Sequence, residues 1–131
     1  MYLRRKQTPP IHYHMSQTTF FVAFPLSEAT KDRTFAVIEQ VRQADQARTH
    51  VDEITDVIIA MTEEGLKYLF LDSLHHAQVG SFQIKAVQMG VQTARKGLEM
   101  VGRRALKAMS HEQLLGIVDY MEGILLQVEE E

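Results

Sequence analysis

Apolar residues recur every three or four positions along most of the chain, and this spacing predicts four amphipathic helices. The first predicted helix begins at Ser27 and Glu28, and its apolar positions are Val37, Ile38, Val41 and Ala44. The second begins near His50, and its apolar positions are Val51, Ile54, Ile58, Met61, Gly65 and Tyr68. Thr62 precedes two glutamates, which is the pattern of an internal N-cap, so a break near Gly65 is also consistent with the sequence.

Gly80 and Ser81 separate the second helix from the third, which has the most regular pattern. Its apolar positions alternate in steps of three and four, at Ile84, Val87, Val91, Ala94, Leu98, Val101, Ala105 and Ala108. Beside them runs a stripe of small residues, Ala86, Gly90, Thr93 and Gly97. A glycine inside a helix costs about 1 kcal/mol, so this stripe predicts close approach by another helix, either within the chain or between subunits.

The fourth predicted helix begins at Ser110, with Gln113 in the position that completes a capping box. Its apolar positions are Leu114, Ile117, Val118, Met121, Ile124, Leu125 and Val128. Four such helices with short connections predict an all-α, single-domain, up-down four-helix bundle over residues 27–131.

Residues 1–26 precede the predicted bundle and have no helical period. We expect a flexible basic arm followed by the apolar segment TTFFVAFPL (18–26), which suits either a short strand or a segment packed over the core. In an alternative α+β fold, TFFVAF and DVIIAM would be strands.

Charge changes sign from block to block along the chain. Residues 1–50 carry +3, residues 51–80 carry −5, residues 81–109 carry +5 and residues 110–131 carry −6. Neighbouring helices of opposite sign would favour one arrangement, although each surface ion pair contributes less than about 1 kcal/mol. The net charge of −3 argues against nucleic acid as a partner.

The composition excludes several kinds of site. The chain has no cysteine, so disulfides, a thiol nucleophile and thiolate zinc sites are absent. It also lacks G-x-S-x-G, a phosphate-binding glycine loop and H-E-x-x-H. Its apolar runs are too short to span a membrane, so we expect no membrane association and a cytoplasmic location.

One candidate for chemistry lies at the end of the second helix. Asp72 and His76 are one helical turn apart and share a face, as a pair of metal ligands would. Further ligands would come from His12 and His14 of the arm, which an up-down topology brings to the same end. Without a metal, Asp72 would orient His75 or His76 as a general base.

Association has broader support in the sequence. The stretch from Tyr68 to Leu74 is apolar on nearly every side, so something beyond one neighbouring helix must cover it. We therefore predict a homo-oligomer, with a further protein partner unidentified. The candidate interface residues are Ala86, Gly90, Thr93, Gly97, Phe70, Leu71 and Leu74.

These observations predict a non-enzymatic protein that acts by protein–protein association, in a regulatory, adaptor or structural role. The alternative is a helical bundle that binds a divalent metal or a small ligand near Asp72 and His76, with or without enzymatic activity. No other cofactor is expected.

Overall fold

The computed structural model describes residues 3–5, 18–125 and 128–130, and it shows an all-α, bundle-like single domain. The described helices are α1 (Glu28–Gln43), α2 (Val51–Leu66), α3 (Ser73–His76), α4 (Ser81–Lys107) and α5 (His111–Ile124). A 3₁₀ turn, Ala47–His50, leads into α2, and a π-helical segment, Lys67–Asp72, joins α2 to α3 in one continuous rod. The four predicted helices are confirmed, although the fourth ends at Ile124, so Leu125 and Val128 lie beyond it rather than on its apolar face. The α+β alternative is wrong because DVIIAM lies inside α2.

The two ends of the chain form a short antiparallel ribbon. Strand β1 (Leu3–Arg5) pairs with strand β2 (Val128–Glu130), with Leu3 opposite Glu130 and Arg5 opposite Val128. A ribbon this short has little stability of its own.

Local sequence sets the ends of the helices. The Ser27 hydroxyl accepts the Thr30 N–H at 3.2 Å, and Ser110 and Gln113 form the predicted capping box. The α3 helix ends at His76, and two residues later Gln78 has a left-handed φ of 59°. There the Gln78 N–H donates to the His75 carbonyl and the Val79 N–H to the Leu74 carbonyl, which closes a Schellman motif.

The main core lies between α1, the first half of α2 and α5. Its buried residues are Val37, Ile38, Val41, Ala47, Val51, Ile54, Val57, Leu106, Leu114, Val118 and Met121. In that cluster α4 supplies Leu106 alone. Otherwise α4 packs mainly along α2, so it lies to one side of this core.

The apolar row predicted for the third helix does not form one buried seam. Val91 is buried and Ile84 is half-buried, but the later positions from Ala94 onward, including Leu98 and Val101, are exposed. A spacing that averages 3.5 residues drifts by about 20° per seven residues on a straight helix. The row therefore begins against α2 and rotates into solvent toward the end of α4.

The break considered near Gly65 takes the form of a change in helix type, because α2 ends at Leu66 and the π-helical segment begins at Lys67. Thr62 does not cap a new helix there, since its hydroxyl donates to the Ile58 carbonyl at 2.8 Å. Gly65 has a tertiary role, because a Cβ there would lie 2.8 Å from the Phe24 ring. Through Phe24, the apolar N-terminal segment packs over α2. This agrees with the second of the two alternatives predicted for it, a segment packed over the core.

Candidate interaction surface

Ion pairs hold α4 against α2. Arg103 donates to Asp52 at 2.6 Å, to Asp56 at 3.0 Å and to Glu99 at 3.1 Å. Hydrogen bonds to Asp56 and Asp52 raise the pKa of the Arg103 guanidinium above its usual value. About two helical turns before Arg103, Arg95 Nε lies 3.0 Å from a Glu63 carboxylate oxygen. The basic third block and the acidic second block of the sequence therefore meet at this contact.

A charged cleft of about 240 Å³ lies beside these pairs, between α1, α2 and α4. Its lining residues are Arg33, Asp56, Ile59, Ala60, Glu63, Arg95 and Glu99. Arg33 lies 3.5 Å from Asp56, and the other charges pair as described above. Its charges of opposite sign lie next to one another, so the cleft is mainly a contact between helices, although the buried Arg95 Nε makes no hydrogen bond despite its distance of 3.0 Å from Glu63.

The opposite side of α4 is apolar and faces solvent. We call it the outer face, made of Ala86, Met89, Gly90, Thr93, Ala94, Gly97, Leu98, Met100, Val101 and Ala105, all exposed. Met89 is 72% exposed, Val101 63% and Met100 62%. Between Lys85 and Arg104, the one exposed charged side chain is Lys96.

The glycines of the outer face have no neighbour within the described chain. A Cβ built on Gly90 or Gly97 would meet nothing within 4 Å. Among the described residues, therefore, no other helix packs closely on the small-residue stripe. Of the two predicted explanations, contact between subunits is the one that the described residues leave open.

The α4 helix differs from a usual surface helix, because it buries Val91 and Leu106 but leaves most of its other apolar residues exposed. A surface helix ordinarily buries its apolar stripe and exposes its charges. Here Arg95, Glu99 and Arg103 face α2, whereas the apolar and small residues face water. A contiguous apolar strip of this kind on a protein surface usually marks an interaction site.

A second apolar area lies on the π-helical segment. Tyr68, Leu69 and Phe70 are exposed, whereas Leu71 is buried and Leu74 is half-buried. Of the candidate interface residues on this segment, Phe70 lies at the surface, and Leu71 packs inside the chain. Consecutive residues lie about 100° apart around a regular helix, so Phe70 and Leu71 point in different directions, and the structure shows which of the two is covered.

The N-terminal apolar segment ends at a fixed contact with α2. The Phe24 ring lies 6.4 Å from the Tyr68 ring, and the Ser27 N–H donates to Glu64 at 2.5 Å. Burial raises the pKa of Glu64, but hydrogen bonds from Thr30 and Ser27 outweigh it, so the net shift is downward. Before this contact Phe20 is exposed, and it adds to the apolar surface.

The residues predicted to bind a metal are not brought together in the described part of the chain. Asp72 and His76 are both exposed, and His12 and His14 lie outside the described residues. Within the described ranges, no three His, Asp or Glu side chains are placed to hold an ion. A site that includes the two arm histidines stays a prediction.

A row of lysines and methionines runs along α4, and the helical faces predicted from the sequence did not include it. Lys85, Met89, Lys96, Met100 and Lys107 are all exposed and are spaced alternately by four and seven residues. Eleven residues complete three turns to within about 20°, so these side chains form one row along α4, which we call the Lys–Met row. The matching segments KAVQMGV (85–91) and KGLEMVG (96–102) are the sequence signal for it.

Comparison with protein-family models, curated proteins and solved structures gives no match to this chain. None of the helices in the described ranges combines the length and apolarity needed to cross a bilayer.

Proposed function

We propose that this protein is a non-enzymatic helical protein that acts by self-association through the outer face of α4. One observation carries the proposal: α4 directs its paired charges at α2 and leaves a continuous apolar face exposed. Because α4 is already held against α2 on one side, a second copy of the protein would only have to cover its outer face. The role of such an assembly is regulatory, adaptor or structural.

The side chains of the outer face are suited to contact with another helix. Gly90 and Gly97 leave the backbone accessible, and the distance between packed helices depends on the side chains at the contact. Met89 and Met100 project beside them, and methionine adapts its shape to irregular apolar surfaces. Phe70 extends the apolar area at the neighbouring π-helical segment, which packs on α4.

Sedimentation velocity of the full chain at micromolar concentrations tests this proposal. We expect a species heavier than the 15.0 kDa monomer for the wild type. Val101→Glu should sediment as a monomer, because a charge buried in an apolar contact costs several kcal/mol. Val101 is exposed, so the substitution should leave the fold of the monomer intact.

Gln92→Glu is the matched control, since Gln92 is exposed on α4 but is not part of the outer face. It should associate like the wild type. A wild-type chain that sediments as a monomer throughout the concentration range would contradict the proposal.

A further inference from the structure

The solvent-facing side of α5 carries a shallow apolar depression. It has a volume of about 310 Å³ and is lined by Met109, Gln113, Gly116, Ile117 and Tyr120. A Cβ built on Gly116 would meet nothing within 4 Å, so the floor of the depression is open to a side chain from outside. This surface is separate from the outer face of α4.

Carboxylates border the depression. Glu112 lies four residues before Gly116 and Asp119 lies three residues after it, and both are exposed. Asp119 also accepts a hydrogen bond from Arg42 at 2.9 Å, whereas Glu112 has no ion pair among the described residues. No lysine or arginine occurs from residue 110 onward, so the charged residues that α5 itself contributes to the border are acidic, whereas Arg42 and Lys107 are the cations nearest to it in the contacts and sequence described.

The Lys–Met row has the complementary arrangement. Met100 projects between Lys96 and Lys107, and neither lysine forms an ion pair with a described residue. At 1.5 Å per residue, Met100 lies about 6 Å along the axis from Lys96 and about 10 Å from Lys107. On α5 the corresponding separations from Gly116 are about 6 Å to Glu112 and about 4.5 Å to Asp119. The separations on α4 are longer than those on α5, and a flexible lysine side chain is long enough to make up this difference.

We propose that, when the protein self-associates, α4 of one copy packs against α5 of a second copy. Met100 enters the depression at Gly116, and Lys96 and Lys107 face Glu112 and Asp119 of the second copy. The inference rests on the proposed self-association and names the surface that meets α4. Each copy carries both surfaces, so the contact closes a dimer with two equal interfaces or continues into a chain of copies.

Charge decides between this arrangement and the pairing of two α4 helices. The row carries three exposed lysines and no carboxylate, so its antiparallel pairing with a second row would place like charges together. Like charges across an interface oppose binding, whereas opposite charges fix the partner and its register. The acidic border of α5 supplies the opposite charge.

The test exchanges charge between the two surfaces of the full chain. Lys96→Glu and Glu112→Lys are prepared separately, and self-association is measured by sedimentation at low ionic strength. Each variant alone should associate about tenfold more weakly than the wild type, because an attraction becomes a repulsion in every contact. An equimolar mixture should associate more tightly than either variant alone. In a mixed pair, one contact is wholly wild type and the other joins the two introduced charges of opposite sign.

Glu28→Lys is the matched control. Like Glu112, Glu28 is an exposed acid in the first turn of a helix, so both substitutions change the helix dipole interaction alike. The control should associate like the wild type. Thermal melting of all three variants separates lost association from lost folding.

Three results would overturn the inference. If Val101→Glu abolishes association but Glu112→Lys leaves it unchanged, the outer face binds something other than α5, and the proposed function survives. If the wild type is monomeric, both proposals fail. If the monomer instead floats with phosphatidylserine vesicles, and Lys96→Glu prevents this, the row binds an anionic lipid surface and both proposals fail.

Discussion

The contact between α1 and α5 differs in kind from the contact between α2 and α4. The first is apolar at its centre, with Val41, Leu114 and Val118 fully buried, and Arg42 bridges Asp119 and Glu122 at its rim. In the second, the arginines of α4 occupy the contact itself. Ion pairs therefore add to apolar packing between α1 and α5, whereas between α2 and α4 they take the place of much of the apolar packing.

This difference explains why α4 has an exposed apolar face. A helix held by apolar packing must turn its apolar stripe inward. The α4 helix is held by Arg95 and Arg103 together with buried Val91 and Leu106, so most of its other apolar residues can face solvent. The alternation of charge along the sequence thus contributes to which side of α4 faces α2 and which side faces solvent.

The largest expected effect comes from truncating the apolar core. Ile54→Ala should lower the free energy of unfolding by about 3 kcal/mol, because Ile54 is fully buried among α1, α2 and α5. Leu98→Ala on the outer face should cost less than about 1 kcal/mol in the monomer, because Leu98 is half exposed. Urea unfolding at high dilution measures both, and equal losses would break the distinction between the two regions.

A smaller effect is expected from removing the charge that holds α4. Arg103→Ala leaves Asp52, Asp56 and Glu99 without their shared cation, which should cost about 1–2 kcal/mol in dilute salt. Hydrogen exchange of α4 amides should accelerate, and 1 M NaCl should reduce the difference from wild type, because salt screens exposed charges.

Arg42→Ala is the matching change at the apolar pair. There α5 should keep most of its protection, since buried residues hold it without the ion pair. Loss of protection in α5 as large as that in α4 would contradict the comparison.

The smallest expected effect concerns acid. The hydrogen bond from Arg42 lowers the pKa of Glu122, whose ordinary value is 4.5. A carboxylate with a lowered folded pKa contributes stability above its unfolded pKa, and the contribution is lost as pH falls through the folded value. Glu122→Gln should therefore flatten the loss of thermal stability below about pH 4.5, by well under about 1 kcal/mol. Melting curves from pH 6 to pH 3 test this, and an unchanged pH profile would contradict it.

Local sequence was enough to predict the four helices, the Ser27 and Ser110 caps and the pairing of oppositely charged blocks. These features depend on spacing along the chain. The direction that α4 faces was not predictable, because a periodic row shows which residues share a face but not what covers it.

Tertiary contacts account for the other differences. Gly65 is explained by the ring of Phe24, which lies 41 positions earlier in the chain. Phe70 and Leu71 are neighbours in a stretch that is apolar on nearly every side, so the sequence did not show that Phe70 would be exposed and Leu71 buried. For the site itself, the small-residue stripe was visible in the sequence, but the absence of a neighbour within the described chain required the structure.

Sedimentation of Gly97→Leu, paired with its melting curve at high dilution, tests most directly whether the outer face of α4 is a contact between copies. Gly97 has open space in place of a Cβ, so leucine should stabilise the isolated monomer by about 0.5–1 kcal/mol through its better helix propensity. The same side chain should block close approach at the outer face and shift the protein toward the monomer. We predict a higher melting temperature together with weaker association. A stabilised monomer that associates as well as the wild type would contradict the account.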